Sequence, residues 1–190
     1  MTDKTVLVRE RRIDGEALFI VDGLFQPGFV RMLHELFDKL PFSRSDYDTD
    51  ATKSVRHWKH EFAIEALTAN PLLRPWHDAI VARTTDLFAG MDLELARVHC
   101  NNHPYGDLQH AHHDVVPGVT ALYFANAEWQ DVWQGEVLFY DRNGEPSHAV
   151  APKPGRLVIF PGEMLHRGGV PSRACPEPRL SVAFKFGARA

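Results

Sequence analysis

The chain has 190 residues, of which 44% are hydrophobic and 24% are charged, and its formal net charge is -4. These values are ordinary for one globular domain, and the scattered Lys and Arg residues give no basic surface for nucleic acid or an anionic membrane. Two cysteines are too few for a disulfide framework, and no apolar run reaches membrane length. Because Met1-Thr2-Asp3-Lys4 does not resemble a secretion signal, we expect a cytoplasmic protein.

The first part of the chain predicts strands and a polar loop. Residues 5–8 and 17–21 are β-type runs, the first followed by a polar Arg/Glu run and the second by the turn Asp22-Gly23. Ser43 to Ser54 is polar and lacks the glycine and the distal glutamate of a calcium loop, so we predict a solvated surface loop there. Val55 to Phe62 is the next predicted strand.

Two helices are predicted in the same part of the chain. The first opens at Gln26-Pro27, continues with apolar residues at three- and four-residue spacing, and ends before Pro41. The second opens at Asn70-Pro71 and ends at Ala89-Gly90, with an apolar stripe that includes Trp76. Both stripes are expected to pack on a sheet.

After Met91 the pattern becomes one of short strands separated by Gly, Pro, Asn or Asp. The predicted strands are 93–100, 108–114, 119–126, 136–140, 148–151, 156–160 and 180–186. Helices followed by many short strands indicate a mostly β protein, a β-sandwich or barrel with the N-terminal helices behind one sheet. We predict a single domain over residues 1–190, with 1–90 as supporting strands and helices and 91–190 as the core.

The stretch Gln109-His110-Ala111-His112-His113-Asp114 contains three histidines and an aspartate. Because side chains alternate along a strand, an extended conformation would put His110, His112 and Asp114 on one face and His113 on the other. Two imidazoles and a carboxylate on one face could hold a divalent metal.

A third ligand is available from a later strand. The run from Gly155 to Phe160 is a strand that turns at Pro161-Gly162 and leads to His166. With His112 and Asp114, His166 would complete a two-histidine, one-carboxylate set, which occupies one face of octahedral iron(II) and leaves positions open.

The last strand carries a candidate carboxylate receptor. Its alternation puts Leu180, Val182, Phe184 and Phe186 on an apolar face, which should pack on the helices. Arg179 and Ser181 share the other face with Ala183 and Lys185. A guanidinium beside a hydroxyl suits a carboxylate, because Arg can bind both oxygens.

His112-x-Asp114, His166 and Arg179-x-Ser181, in this order, resemble the iron(II)/2-oxoglutarate-dependent dioxygenases, in particular the prolyl-hydroxylase-like branch. The resemblance extends from about Leu95 to Phe186. It implies a double-stranded β-helix, that is, a jelly roll of the cupin-like type, with the N-terminal helices supporting its larger sheet.

The resemblance also implies the cofactors and the reaction. His112, Asp114 and His166 would bind Fe(II), and 2-oxoglutarate would chelate the metal and pair its far carboxylate with Arg179 and Ser181. Oxygen would be the second co-substrate, ascorbate a reductant in vitro, and the substrate a small molecule, an amino acid or a peptidyl residue. No catalytic residue is expected beyond the metal ligands. Asp114 favours hydroxylation over halogenation, because related halogenases have a small residue in its place.

The chain departs from the family near the co-substrate and at the pocket mouth. Two tyrosines are common in the family, but here Phe124 takes the in-facing position and Tyr123 points away. We therefore expect Asn102, His103 or Tyr105 to contact 2-oxoglutarate. Ser43 to His60 is the candidate substrate lid, with Arg56 and Trp58 as its candidate contacts.

Two alternatives stay open at this point. A cupin-type metal enzyme could use His110, His112 and His166, although the glutamate expected a few residues after His-x-His is missing and Arg179 would have no purpose. A catalytically silent β-barrel could bind a small ligand through the same pocket. In the iron reading, His110 lines the pocket and His113 points into packing or solvent.

Overall fold

The computed structural model describes residues 5–114 and 117–189. Met1 to Lys4, where the sequence shows no secretion signal, lie outside the described residues. In the described part of the chain the strands are β1 Leu7–Ile13, β2 Glu16–Asp22, β3 Ser43–Asp46, β4 His57–Phe62, β5 Leu93–His103, β6 Gly118–Phe124, β7 Val137–Tyr140, β8 Pro146–Val150, β9 Leu157–Pro161, β10 His166–Gly168 and β11 Arg179–Ala188. The helices are α1 Pro27–Phe37, α2 Ile64–Ala69 and α3 Arg74–Leu87.

The strands form two antiparallel sheets. The larger has the order β1-β2-β9-β6-β11-β5-β4-β3, and the smaller has the order β10-β7-β8. Strand β11 lies at the centre of the larger sheet, with Ser181 opposite Asn101 of β5 and Phe124 of β6. Some neighbours, such as β2 and β9 or β5 and β11, are far apart in sequence, as expected when strands from the two ends of the domain wind around a common core.

The larger sheet is covered on both faces. On one face, Leu33 and Phe37 of α1 and Trp76 of α3 pack against buried residues such as Phe184, which lies 5.0 Å from Trp76 between ring centroids. On the other face a second apolar cluster joins the two sheets, and its members include Phe139 of the smaller sheet. The mostly β jelly roll with supporting helices is therefore confirmed.

Two strand predictions near the sheet edge were wrong. The polar Arg/Glu run is part of β1, which turns into β2 at Asp14 and Gly15, both with positive φ (53° and 95°) as a tight hairpin requires. Ser43–Asp46 is the strand β3, and Asp50–Thr52 is a 3-10 turn. Both strands lie at the edges of the larger sheet, where polar side chains on each face cost little, so they lack an apolar alternation.

The second helix region was predicted too simply. A short helix, α2, precedes the expected start, and α3 begins at Arg74 rather than at Asn70-Pro71. The Asn70 side chain accepts a hydrogen bond from the backbone N–H of Leu72 (2.9 Å), which holds a turn before the helix. Of the predicted stripe, Trp76 and Ile80 are fully buried.

The predicted strand 108–114 was also wrong, because this segment pairs with the sheet only at His112. Its other backbone groups bond elsewhere: the N–H of His110 donates to Asp48 (2.6 Å) and the N–H of Asp114 donates to the carbonyl of Gly162 (2.8 Å). The segment therefore follows a bent path rather than a pleated one.

Within residues 5–114 and 117–189, every helix is too short or too polar to cross a lipid bilayer.

Candidate metal centre

Two histidines from distant parts of the chain lie side by side with their rings tilted by 53°. The backbones of His112 and His166 exchange two hydrogen bonds, of 2.9 and 3.1 Å, and their ring centroids lie 4.6 Å apart. His166 begins β10 in the smaller sheet, so this pairing fixes the bent 108–114 segment against that sheet. The structure thus brings together residues that are 54 positions apart (166 minus 112).

Asp114 completes a set of three metal-ligating groups. Its Oδ1 lies 3.6 Å from Nε2 of His112 and its Oδ2 lies 3.4 Å from Nε2 of His166. One donor atom from each residue lies within 4.8 Å of the others. His110, which the alternative cupin-type site needs, is not part of this group, and its Nδ1 lies 3.4 Å from Asp48 instead.

The hydrogen bonds of the two rings leave the right nitrogens available for a metal. Nδ1 of His112 bonds the carbonyl of His110 (2.9 Å), and Nδ1 of His166 bonds the carbonyl of Met164 (2.8 Å). A carbonyl only accepts, so each Nδ1 carries the proton and each Nε2 presents a lone pair. The donor set therefore fits a divalent metal such as iron(II).

The electrostatics keep two of these groups, His166 and Asp114, in their metal-binding protonation states. Burial lowers the pKa of His166 to about 4, so the ring is neutral at physiological pH. Burial alone would raise the pKa of Asp114, but the charges of Lys185 and His166 and hydrogen bonds from Lys185 and Thr120 hold that pKa well below its usual range.

Lys185 is a member of the site to which the sequence assigned no role. Its ammonium group forms an ion pair with Oδ2 of Asp114, and the hydroxyl of Thr120 donates to the same oxygen (2.6 Å). The alternation of the last strand already placed Lys185 on the face of Arg179. The sequence did not show that Asp114 would be its carboxylate partner, because the two residues are brought together only by the fold.

Arg179 is a buried cation with open hydrogen-bonding capacity. Its side chain is about 1% exposed, and Nη2 donates to Nδ1 of His103 at 3.4 Å. Among the described residues nothing bonds its Nε or Nη1. Burial lowers the pKa of Arg179 to about 10, so the group remains charged at neutral pH. An unpaired buried charge is costly, and a bound anion would stabilise it.

The space beside Arg179 is a cavity of about 330 Å³ that also reaches the three metal-ligating groups. Ser181 lines it, as predicted, together with Asn101 and Gln109. Gly168 keeps it open, because a Cβ atom there would collide with Gln109 and with the guanidinium of Arg179. The unpartnered guanidinium and this cradle fit the far carboxylate of 2-oxoglutarate.

Of the three residues predicted to replace the family tyrosines, His103 lies beside Arg179, whereas the other two do not line the cavity. His103 contacts Arg179, but Asn102 lies on the opposite face of β5 from the pocket-lining Asn101. Tyr105 is 63% exposed in a turn. The sequence pointed to Asn102, whereas its neighbour Asn101 faces the cavity. A shift of one residue exchanges the two faces of a strand.

Tyr123 and Phe124 point in opposite directions, as predicted. Tyr123 packs edge to face on Trp76 (5.6 Å) on the helix side, and Phe124 belongs to the apolar cluster between the sheets. No described residue bonds the buried hydroxyl of Tyr123. Tyr123 is therefore unable to reach the pocket.

The candidate lid borders the cavity, but through other residues than those predicted. Asp46, Tyr47 and Asp48 line it, whereas Arg56 and Trp58 do not. Trp58 is 39% exposed with the guanidinium of Arg44 over its ring, and the carbonyl of Arg56 accepts hydrogen bonds from the same guanidinium.

Asp48 corrects the prediction of a solvated loop, because its side chain is only 2% exposed. It accepts from the backbone of His110, and its Oδ2 lies 3.0 Å from Nε2 of His57. The other nitrogen of His57 lies 3.2 Å from Asp107. Burial opposes a charge on His57, yet these two carboxylates raise its pKa to about 9. His57, His103 and Asp107 form a second cluster beside the pocket.

Comparison with known proteins identifies the class. The model of the 2OG-Fe(II) oxygenase superfamily matches residues 97–186, which include the three metal-ligating groups and Arg179. No curated protein matches the chain in sequence.

Solved structures share the fold. A prolyl-4-hydroxylase from Pseudomonas putida is 18% identical with a TM-score of 0.67, covering 91% of this chain and 93% of that one. The α-ketoglutarate-dependent epimerase SnoN of nogalamycin biosynthesis is 19% identical with a TM-score of 0.63, covering 89% and 77%. The viral collagen prolyl hydroxylase of Paramecium Bursaria Chlorella virus-1 is 15% identical with a TM-score of 0.62, covering 93% and 99%. At these identities the likeness shows the fold.

A jelly roll that brings two imidazoles, a carboxylate and a buried arginine to one cavity defines a non-haem iron oxygenase. Residues 97–186 match the 2OG-Fe(II) oxygenase superfamily, and the chain has the fold of prolyl hydroxylases. It is therefore an oxygenase, and the cofactors of its family are Fe(II), 2-oxoglutarate and O2.

Proposed function

We propose that His112, Asp114 and His166 hold Fe(II) and that the enzyme hydroxylates an unactivated C–H bond. The substrate is a small molecule, an amino acid or a peptidyl residue. The observation that carries this proposal is the arrangement of the two rings, each with Nδ1 on a backbone carbonyl and Nε2 beside the Asp114 carboxylate. A ring held in this way is oriented as metal-ligating histidines are, with its second nitrogen presented to the metal.

When bound, the metal and co-substrate would supply the oxidising chemistry. 2-Oxoglutarate would be converted to succinate and CO2 with one oxygen atom of O2, and the other oxygen atom would be inserted into the substrate C–H bond. The protein binds and orients the participants and excludes side reactions. Leu122, Val137 and Phe160 line the cavity and keep its inner wall apolar. Such a wall limits the water that reaches the reacting groups.

Arg179 and Ser181 bind the far carboxylate of 2-oxoglutarate in this proposal. The guanidinium has two nitrogens to which no described residue bonds, and it is buried deeply enough that only an anion compensates its charge well. His103 accepts from the remaining nitrogen and keeps the guanidinium turned toward the cavity.

Asp114 is oriented by two groups on its outer oxygen. Lys185 and Thr120 both engage Oδ2. Oδ1, the oxygen nearer to His112, is then left for the metal. Lys185 and Thr120 therefore act as positioning residues that keep the carboxylate fixed when its charge is shared with iron.

The test is co-substrate turnover combined with metal binding. Purified protein with Fe(II), ascorbate and 2-oxoglutarate should form succinate slowly even without substrate. Asp114→Ala should abolish this, and Arg179→Ala should raise the 2-oxoglutarate concentration required by roughly 10- to 100-fold, since a charge-assisted contact is lost. Mn(II) binding by electron paramagnetic resonance gives a readout that is independent of turnover.

The outcome of one further variant separates this proposal from the cupin-type alternative. Loss of metal binding in His110→Ala, with retention in Asp114→Ala, would overturn the ligand assignment. Once a substrate that stimulates succinate release is found, mass spectrometry with isotopically labelled O2 tests the reaction type. Hydroxylation adds one labelled oxygen atom to the product, whereas epimerisation or desaturation adds none.

A further inference from the structure

The pocket contains a second pair of cations, Lys185 and Arg97, and Lys185 lies six residues beyond Arg179 on β11. Resting on the proposed function, we propose that the primary substrate is a small free carboxylic acid, whose carboxylate binds Lys185 and Arg97. Amino acids and 2-hydroxy acids are the first members of this class to consider. An internal residue of a peptide has no free carboxylate beside the carbon to be oxidised, so this proposal separates free acids from peptidyl substrates.

The register of the sheet places these two cations side by side. Lys185 of β11 is directly opposite Arg97 of β5, and both line the cavity. Like charges directly opposite each other on one face of an antiparallel pair repel and destabilise the sheet. An anion bound between the two cations would relieve this repulsion.

Three carboxylates, Asp114, Asp46 and Glu61, face the three cations Lys185, Arg97 and Lys59, so this pair is compensated until a bound metal draws on Asp114. Arg97 shares its carboxylates with a third cation: Asp46 lies 3.2 Å from both Arg97 and Lys59, and Glu61 lies 3.3 Å from Arg97 and 3.0 Å from Lys59. About a third of the Arg97 side chain is exposed (34%), so it can turn toward a ligand in the cavity.

Lys185 depends on a carboxylate that the metal also needs. Its side chain is 10% exposed, and in residues 5–114 and 117–189 its one carboxylate partner within ion-pair distance is Asp114. A metal ion bound by Asp114 takes a large share of that negative charge. A substrate carboxylate beside Lys185 would supply the negative charge that Asp114 then shares with the metal.

Arg179 and Lys185 are six residues apart (179 to 185) on one strand, so their Cα atoms are separated by roughly 20 Å. In the proposed arrangement 2-oxoglutarate has its far carboxylate on Arg179, and Lys185 and Arg97 bind the carboxylate of the second acid.

The cavity also favours a small ligand. Its volume is about 330 Å³, which the co-substrate must share, and Asp46 and Tyr47 border it from the segment that follows β3. A compact acid fits this remaining space, whereas a chain that continues in both directions would have to pass these residues.

The test is direct binding to protein loaded with Mn(II) and 2-oxoglutarate, in which no turnover occurs. Isothermal titration calorimetry compares the proteinogenic amino acids and short 2-hydroxy acids with their carboxamides. At least one acid should bind, and its carboxamide should bind roughly 10- to 100-fold more weakly, as expected when charge-assisted hydrogen bonds are lost. The same acid should stimulate succinate release from the Fe(II) enzyme.

Three variants locate the effect. Lys185→Met and Arg97→Gln should each weaken the acid roughly 10-fold or more and remove its preference over the carboxamide. Arg97→Gln does not alter a group that touches Asp114, so it remains informative if Lys185→Met folds poorly. Lys153→Met, the same change at an exposed lysine outside the pocket, should bind the acid as the wild type does.

The possible failures are distinguishable. Wild-type protein that binds neither Mn(II) nor 2-oxoglutarate would refute the proposed function and this inference together. Binding of both without any acid-over-carboxamide preference would refute only this inference. So would stimulation of succinate release by peptides and by none of the free acids.

Discussion

Two clusters in this chain contain the same groups, two imidazoles and a carboxylate, but their hydrogen bonds differ. The clusters are His112, Asp114 and His166, and His57, His103 and Asp107. In the first, each ring donates from Nδ1 to a backbone carbonyl and keeps an Nε2 lone pair for a metal. In the second, both nitrogens of His57 face carboxylates and Nδ1 of His103 accepts from Arg179, while no described residue bonds Nε2 of His103 or Oδ2 of Asp107.

His57 shows the difference most clearly. Its two nitrogens lie 3.0 Å from Asp48 and 3.2 Å from Asp107, and the raised pKa of about 9 means that both carry protons at neutral pH. His103 accepts from Arg179 on Nδ1, which puts its own proton on Nε2. Both clusters have the same residue types. What distinguishes the metal site from the structural ion-pair cluster is the hydrogen-bond partner of each histidine nitrogen.

The largest expected effect comes from removing one histidine of each cluster. His166→Ala should weaken Mn(II) binding by more than roughly 100-fold, because even the loss of a group that only supports a ligand costs about 10- to 100-fold. His103→Ala should retain one Mn(II) per chain. Titration followed by electron paramagnetic resonance measures both. Two ions bound per wild-type chain, or equal losses in the two variants, would contradict this distinction.

The second cluster should appear in the pH dependence of stability. Because the pKa of His57 rises from 6.5 to about 9 on folding, its contribution is fully present below pH 6.5 and is lost as the pH rises through 9. His57→Gln should therefore cost up to roughly 3 kcal/mol at pH 6, at about 1.4 kcal/mol for each unit of the shift, and much less above pH 9. The charged or titratable groups around the ring are Asp48, Asp107 and His103.

Urea unfolding from pH 6 to pH 9 measures this difference. His148→Gln is the matched control, since His148 of β8 has no carboxylate within ion-pair distance among the described residues. Its free energy of unfolding should differ from that of the wild type by an amount that does not change between these pH values. A His57→Gln penalty that is constant with pH would show that His57 is not protonated in the folded protein.

The sequence predicted those parts of the site that depend on a local period. The alternation of β11 was enough to turn Leu180 toward the helices and Arg179 and Ser181 toward the pocket. The strand that ends in Pro161-Gly162 placed His166 after a turn. These patterns work because one buried face fixes the orientation of a strand.

The parts that failed depend on contacts between distant residues. Asp48 lies in a polar run with no periodicity, and its burial results from His57 and from the backbone of His110, 62 positions away (110 minus 48). The role of Lys185 required the position of Asp114, which in turn required a bent segment where the sequence predicted a strand. The single-domain organisation and the cytoplasmic location stay predictions.

The smallest expected effect links the two clusters through Asp48. Its Oδ2 touches His57 and the backbone of His110, and its Oδ1 lies 3.6 Å from Nδ1 of the ligand His112, whereas Asp107 touches His57 but no ligand. Asp48→Asn and Asp107→Asn should each cost about 1.5 to 3 kcal/mol of stability, because each weakens one charge-assisted bond to the same imidazolium. Mn(II) affinity should fall in Asp48→Asn alone, by roughly three- to tenfold, because the residue supports a ligand only indirectly. Equal Mn(II) affinities in the two variants, measured beside urea unfolding, would mean that the ion-pair cluster stabilises the fold without steadying the metal centre.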